Sequence, residues 1–115
     1  EAEPLMRRAL EIDEASLGEH HPTVAIRLNN LALLLQATNR KEEAEPLMRR
    51  ALEIDEASFG EHHPTVAIRL NNLALLLQAT NRIGEAEPLM RRALEISKAS
   101  FGQRPPSPRN GSSEK

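Results

Sequence analysis

The sequence predicts an all-α protein, an α-solenoid of antiparallel helical hairpins, and three observations lead to this prediction. Residues 1–42 match residues 43–84 except at the pairs Leu17/Phe59, Lys41/Ile83 and Glu42/Gly84. A repeat of this length is typical of stacked supersecondary units. Within each unit the apolar residues follow helical spacing. Aromatic residues make up only 2% of the chain, so the core must consist of aliphatic side chains and alanine.

The repeat divides the sequence into two full units and a partial one. The full units are residues 1–42 and 43–84, and a third copy runs from 85 to 102 with Ser97 and Lys98 as its departures. Residues 103–115 contain three prolines, one glycine and three serines without apolar periodicity, which predicts a disordered tail. The chain has 115 residues and starts with Glu1, so we expect one domain from a processed or longer protein.

The first helical pattern of a unit, helix A, extends from Pro22 to about Thr38. Proline suits the first helical position, where its missing N–H is not needed. Its apolar residues occupy i, i+3, i+4 and i+7 and further residues widen the stripe, so we expect neighbours on more than one side. The residues that define the stripe are Leu28, Leu31, Ala32 and Leu35.

The second pattern, helix B, extends from about Lys41 to Ser58 and has a charged outer face. Its apolar positions are Ala44, Leu47, Met48 and Ala51. Pro46 lies close enough to the start to be tolerated, and Gly60 is placed to end the helix in a left-handed conformation.

The short Asn39-Arg40 link makes the two helices antiparallel neighbours. Asn39 can adopt a positive φ, or it can cap helix B together with Glu42 three residues later. The second unit has Gly84 in place of Glu42, so we favour the turn. The predicted order is B–A–B–A–B, five helices.

Composition excludes several classes of function. The net charge of −2 offers no basic patch, which argues against nucleic-acid binding, and no segment is apolar over enough residues to span a membrane. The absence of cysteine excludes disulfides and thiolate sites and fits a reducing compartment, so we expect a cytoplasmic protein. The carboxylates lie on the outer faces of the B helices and every candidate is duplicated, so we expect no enzyme and no cofactor.

Two motifs suggest further chemistry. His20-His21 and His62-His63 invite a metal site, but adjacent histidines point apart and copies in different units are too distant to share an ion. We therefore expect no metal and place a histidine at or near the N-cap of helix A. Residues 105–109 form a minimal PxxP and a potential phosphorylation site, or belong to a solubilising tail.

Residues 1–102 resemble the kinesin light chain type of tetratricopeptide repeat. The resemblance rests on Leu70-Asn71-Asn72-Leu73-Ala74, on Glu85-Ala86-Glu87-Pro88-Leu89 through Ile96, and on His-Pro-Thr-Val-Ala at 63–67. It implies that the alanines of the packing positions allow close helix approach. These positions are Leu28, Leu31, Ala32, Leu35, Ala44, Met48 and Ala51, with copies Leu70, Leu73, Ala74, Leu77, Ala86, Met90 and Ala93. The family's frequent aromatics at Leu35 and Met48 and its turn glycine at Asn39 are absent.

The resemblance implies a protein-interaction scaffold whose A helices line a concave groove for a peptide or a partner helix. The implied groove residues are Ile26, Asn29, Asn30, Leu33, Gln36 and Ala37, with Arg27 beside them, and Ile68, Asn71, Asn72, Leu75, Gln78 and Ala79, with Arg69 beside them. Asparagine can both donate to and accept from a peptide backbone. Alternatively, these asparagines form a solvated ladder or bond between neighbouring helices.

The ends of the array suggest a second function, structural self-assembly. Each terminal B helix lacks an A helix that a regular array would supply, which leaves apolar residues with incomplete cover. These residues are Leu5, Met6 and Ala9 at one end and Leu89, Ala93 and Ile96 at the other. We expect homo-oligomers formed by end-to-end stacking or by exchange of helices between near-identical units.

Overall fold

Five helices, each antiparallel to the next, form successive hairpins, and no strand lies between residues 2 and 103, the part of the chain that the computed structural model describes. The helices are α1 (Ala2–Leu17), α2 (Pro22–Ala37), α3 (Lys41–Phe59), α4 (Pro64–Ala79) and α5 (Ile83–Gln103). The predicted order B–A–B–A–B is confirmed, with α2 and α4 as the A helices. The predicted tail lies outside the described residues except for Gln103, which belongs to α5.

The A helices begin at a histidine cap. The Nδ1 atom of His21 accepts a hydrogen bond from the backbone N–H of Thr23 at 3.0 Å, and His63 accepts from Thr65 at 3.1 Å. Proline follows each cap at the start of the helix. Phe59 stacks on the ring of His63 with centroids 4.7 Å apart. The predicted histidine at the N-cap of helix A is confirmed.

Each A helix ends in a turn centred on an asparagine with positive φ, 66° at Asn39 and 63° at Asn81. The Arg40 N–H donates to the carbonyl of Leu35 at 2.7 Å, and the Asn39 N–H donates to the carbonyl of Gln36 at 3.2 Å. These two bonds satisfy carbonyls that a helix end leaves open. Arg40 is the N-cap residue of α3 and makes no side-chain cap bond. The turn interpretation of Asn39 is therefore confirmed over the capping box.

Two local predictions about the B helices need correction. Gly60 has the positive φ expected of it, 93°, but its ψ of 156° lies outside the left-handed helical region. Because ψ is extended, the chain leads from Gly60 toward the N-cap of the next A helix and does not adopt the left-handed helix end. Pro46 lies inside α3, beyond the first turn, where the ring removes a backbone bond. Pro46 is exposed, so water can solvate the freed carbonyl.

The core lies between the hairpins, and its largest cluster extends through α2, α3, α4 and α5. All packing positions carried by the resemblance are buried except Met90, which is half-buried. A smaller cluster joins α2 and α3 beneath α1 and consists of Val24, Ala25, Leu28, Ala51 and Ile54. The array is elongated, with extents of 54 × 36 × 26 Å.

Consecutive B helices are joined by arginine–carboxylate pairs on their outer side. Arg40 binds both Glu43 of α3 and Glu3 of α1, and Arg82 repeats this between Glu85 of α5 and Glu45 of α3. Further along the same helices Arg50 pairs with Glu14, and Arg92 pairs with Glu56. The stack is thus held by an apolar core inside and by repeated ion pairs outside.

The arginines of these pairs lower the pKa of four carboxyl groups below the ordinary value of 4.5. Hydrogen bonds from Arg40 and Arg7 lower the pKa of Glu3, and hydrogen bonds from Arg40 and Arg82 lower those of Glu43 and Glu85. Burial, the largest single effect at Glu45, raises its pKa, but the bonds from Arg82 and Arg49 outweigh it. The folded state therefore favours the charged form of all four groups.

We expect this charge arrangement to make the array acid-labile. Because the folded pKa values are depressed, the stabilisation is fully present above pH 4.5 and is lost as the pH falls through the folded values. Thermal unfolding followed by circular dichroism between pH 7 and pH 3 should show Tm falling below about pH 4.5. The double variant Arg40→Gln/Arg82→Gln should lose part of that slope. An unchanged slope in the variant would show that these pairs do not stabilise the fold.

Candidate functional site

The two A helices have identical sequences, so differences in exposure between them reveal which side of each helix a neighbour covers. The side chain of Arg27 is 45% exposed, whereas that of its copy Arg69 is 10% exposed. Asn29 is buried at 6%, whereas its copy Asn71 is exposed. α4 has a preceding unit on its Arg69 side, and it covers α2 on the Asn29 side. Chemically identical positions thus act as internal controls for stacking.

A third side of the A helices stays accessible in both copies. Its residues follow i, i+4, i+7 and i+11 and lie opposite the buried stripe of the same helix. We name them the open stripe: Ile26, Asn30, Leu33 and Ala37 on α2, and Ile68, Asn72, Leu75 and Ala79 on α4. The large apolar members are exposed at 48% (Ile26), 43% (Leu33), 57% (Ile68) and 46% (Leu75). Repeated exposure of large apolar side chains on one surface is a mark of an interaction site.

The asparagines of the implied groove separate into two environments. The Nδ2 group of Asn72 donates to Oδ1 of Asn29 at 3.4 Å, which is a bond between neighbouring A helices. This contact is the alternative that the sequence left open for this pair. Asn30 and Asn71 are exposed, so their amides remain accessible to a ligand.

The arginines beside the implied groove are engaged within the array. Nε of Arg69 donates to Oδ2 of Asp55 at 2.6 Å, and the Asp55 side chain is only 1% exposed. Arg27 makes the same 2.6 Å bond to Asp13 in a more exposed setting. Both arginines therefore serve the joint between a B helix and the following A helix. Asp13 and Asp55 were missed by sequence reasoning, which assigned the B-helix carboxylates to the solvated face.

The remaining implied residues lie toward the following unit. Gln36 is half-buried beneath that unit, whereas its copy Gln78 is exposed and its Nε2 group lies 3.3 Å from Sδ of Met90. Of the fourteen side chains implied by the resemblance, the open stripe brings together eight: Ile26, Asn30, Leu33, Ala37, Ile68, Asn72, Leu75 and Ala79.

A groove of about 1330 Å³ lies between α4 and α5 at the end of the array, and we name it the terminal groove. One wall is the link from Phe59 to Pro64, and the other residues come from α4 and α5: Ala67, Ile68, Asn71, Asn72, Met90, Ala93, Leu94, Ser97 and Ser100. Its lining is largely apolar. A smaller cavity of about 180 Å³ lies at the α1–α2 joint beside Leu5 and Asn30.

The uncovered residues at the two ends differ in part from those expected. Leu5 of α1 is exposed at 66%, together with Ile12 at 55%, which the sequence did not single out. At the other end Ala93 and Ile96 are buried against α4, at 8% and 2%. The large apolar side chains that α5 exposes are instead Ile83, at 58%, and Leu94, at 55%.

No group of three or more His, Cys, Asp or Glu side chains within the described residues is arranged to hold a metal ion. None of the five helices described is long and apolar enough to cross a bilayer.

Comparison with known proteins places these features in a family. The family model for the tetratricopeptide repeat matches residues 1–57 and residues 42–99. Among solved structures the chain is similar to the crystal structure of BtubC (BKLC) from P. vanneervenii, with a TM-score of 0.58 and 22% sequence identity. That match covers 99% of this chain and 62% of the other, so the chain spans less than two thirds of that protein, and the likeness concerns the fold alone. No curated protein matches the chain.

The two matches of the repeat model together cover residues 1–99, with a boundary close to the 42-residue period. The hairpins, the buried packing positions and the stacked joints agree with that assignment. The chain is a member of the tetratricopeptide repeat family.

Proposed function

We propose that this chain is a non-catalytic protein-interaction scaffold that holds a peptide or a partner helix on the open stripe. Tetratricopeptide repeats generally mediate protein–protein interactions. The single observation that carries the proposal is the matched exposure of Ile26 and Leu33 with their copies Ile68 and Leu75. Stacked units place repeated positions on the same side of an array, so one extended ligand can contact both pairs.

The polar members of the surface fit the same ligand. The amide of Asn30 can donate to and accept from a peptide backbone independently of the peptide's sequence. The four exposed apolar side chains would then select apolar residues along the ligand. We also infer the kinesin light chain type of repeat for this chain, on the strength of its 42-residue period and its His-Pro-Thr-Val-Ala motif.

The proposal predicts that charge on the open stripe abolishes ligand binding without unfolding the array. A random 12-residue peptide library would be selected against the wild-type chain, and the best binder measured by fluorescence anisotropy. Leu33→Asp/Leu75→Asp should weaken that binder by about a hundredfold, since burying unpaired carboxylates against a ligand is costly. Asn30→Ala should weaken it by about threefold to tenfold through one lost hydrogen bond.

The matched control is Ile12→Asp, which adds a charge at an equally exposed position on α1, away from the open stripe. It should leave the affinity unchanged, and circular dichroism should give the same helix content for all variants. Equal binding by the wild type and by Leu33→Asp/Leu75→Asp would contradict the proposal.

A second candidate is a self-assembly module, and the state of α1 favours it. Leu5 and Ile12 are exposed on α1, whereas their copies in α3 are half-buried at Leu47 and 2% exposed at Ile54. A second chain that covered α1 would bury this apolar side. Light scattering after size exclusion should then give a mass above 12.8 kDa that Leu5→Asp restores to the monomer value. A 12.8 kDa wild-type monomer at high concentration would contradict self-assembly.

A further inference from the structure

The terminal groove repeats, one unit later, the surface on which α4 lies. Ala67 and Asn71 of the groove correspond to Ala25 and Asn29 of α2, and Leu94 corresponds to Leu52 of α3. The three earlier residues are buried, at 0%, 6% and 8%, and α4 lies over Asn29 and Leu52. Of the later three, Asn71 and Leu94 are exposed, because no helix within the described residues covers them, whereas Ala67 is 7% exposed. The groove therefore offers a largely apolar surface equivalent to the one that α4 covers on α2 and α3.

The internal joints show which charged side chains hold an A helix on the equivalent surface. Asp13 binds Arg27 of the following A helix, and Asp55 binds Arg69 of the next. The residue after each aspartate binds an arginine of the following B helix, through the pairs Glu14–Arg50 and Glu56–Arg92. On α1 and α3, two adjacent carboxylates thus hold the A helix and the B helix that come next in the chain.

The third copy of helix B departs from the repeat at these two positions. Ser97 replaces the aspartate, and Lys98 replaces the glutamate. Between Glu85 and Gly102 no other position differs from the first two copies except Phe101, which matches Phe59 but not Leu17. The changes remove both acceptors for a following unit and reverse one charge, while the apolar floor of the groove is retained.

A further copy of this chain's own unit is consequently a poor occupant. Its A-helix arginine would be buried opposite Ser97 without a carboxylate, and an unpaired buried charge is strongly unfavourable. Its B-helix arginine would meet Lys98, a like charge. Where the internal units continue with Glu-His-His-Pro-Thr-Val, the sequence continues with Gln103-Arg104-Pro105-Pro106-Ser107-Pro108, which does not repeat the A-helix pattern.

We propose that the terminal groove binds a single amphipathic helix of a partner protein, one that carries an uncharged side chain where this chain's A helices carry arginine. Ser97 is the residue that selects it, since a serine hydroxyl tolerates a neutral neighbour and cannot neutralise a guanidinium. The amide of Asn71 offers the helix the bond that Asn29 receives from Asn72 in the internal joint. This site is separate from the open stripe, although the two meet at Ile68 and Asn72.

Two synthetic helical peptides with solubilising lysine tails would test the proposal on the full chain. One copies residues 63–80, and the other has glutamine in place of its arginine. In fluorescence anisotropy the wild type should bind the neutral peptide at least about tenfold more tightly, given the cost of an unpaired buried charge. Ser97→Asp should reverse this preference, because it restores the carboxylate found at Asp55.

Matched controls separate this groove from the open stripe. Leu94→Asp should abolish binding of both peptides, whereas Leu33→Asp should leave both unchanged and thereby distinguish this proposal from the preceding one. The proposal is overturned if the wild type binds neither peptide, prefers the arginine peptide, or keeps its preference in Ser97→Asp. A concentration-dependent dimer that Leu94→Asp dissociates would identify a second copy as the occupant and would also overturn it.

Discussion

Arg69→Leu is expected to lower the free energy of unfolding by about 3–5 kcal/mol, the range observed when one partner of a buried ion pair is removed. Asp55 would lose the guanidinium that binds its Oδ2 atom, while remaining 1% exposed. Its Oδ1 atom already lacks a hydrogen-bond partner among the described residues, so a lone carboxylate there has no compensation. Urea denaturation monitored by circular dichroism would measure the change.

The repeat supplies the control for this prediction. Arg27→Leu removes the same bond from Asp13, but there the side chains are 45% and 18% exposed. Water can solvate the released carboxylate, so we expect a loss of only about 0–1 kcal/mol. The double variant Arg69→Leu/Asp55→Leu should recover much of the stability lost in Arg69→Leu, because apolar replacement of a whole buried pair is often neutral. Equal losses for the two arginine variants would contradict the difference in burial.

Leu73→Ala is expected to cost about 2–5 kcal/mol, the usual range for truncating a fully buried leucine. Leu73 is 0% exposed in the largest core cluster, and the array has no aromatic side chain there to fill the resulting cavity. A small domain has a total stability of about 5–15 kcal/mol, so this loss is a large fraction of the total and should lower the melting temperature.

Leu75→Ala is the matched control, two residues further along the same helix. Leu75 is 46% exposed on the open stripe, so we expect a change within about 0.5 kcal/mol. Differential scanning calorimetry of both variants would measure the two effects. Similar losses of Tm would show that the buried and open sides of α4 have been assigned wrongly.

The fold could be predicted from the sequence because the repeat period and the helical spacing of the apolar residues indicate the same helices. The 42-residue period set the units, the i, i+3, i+4, i+7 spacing set the helices, and Asn39 set the turn, since a positive φ is tolerated by asparagine. Predicted helix ends differ from the observed ones by one residue at Thr38 and Ser58. Helix ends depend on single capping bonds, which periodicity does not encode.

The site was predicted less completely, because the sequence of one A helix does not say which side a neighbour covers. Asn29 and Asn71 are the same residue in the same motif, yet one is buried and the other exposed. The roles of Arg69 and Asp55 likewise depend on a contact between two helices, because these residues lie 14 positions apart in the sequence. One signal was available: the third copy changes Asp and Glu to Ser97 and Lys98. Such a paired departure indicates that both positions contact a following unit.

The stacking of α4 on α2 is tested most directly by the reactivity of a thiol placed at two equivalent positions. The chain has no cysteine, so Asn29→Cys and Asn71→Cys each introduce one thiol into the same local sequence. With a thiol reagent such as DTNB under native conditions, Asn71→Cys should react at least about tenfold faster than Asn29→Cys, because position 29 is 6% exposed beneath α4. In urea the two rates should become equal. Equal rates under native conditions would mean that the units do not stack, and the assignment of the covered and open sides would then be wrong.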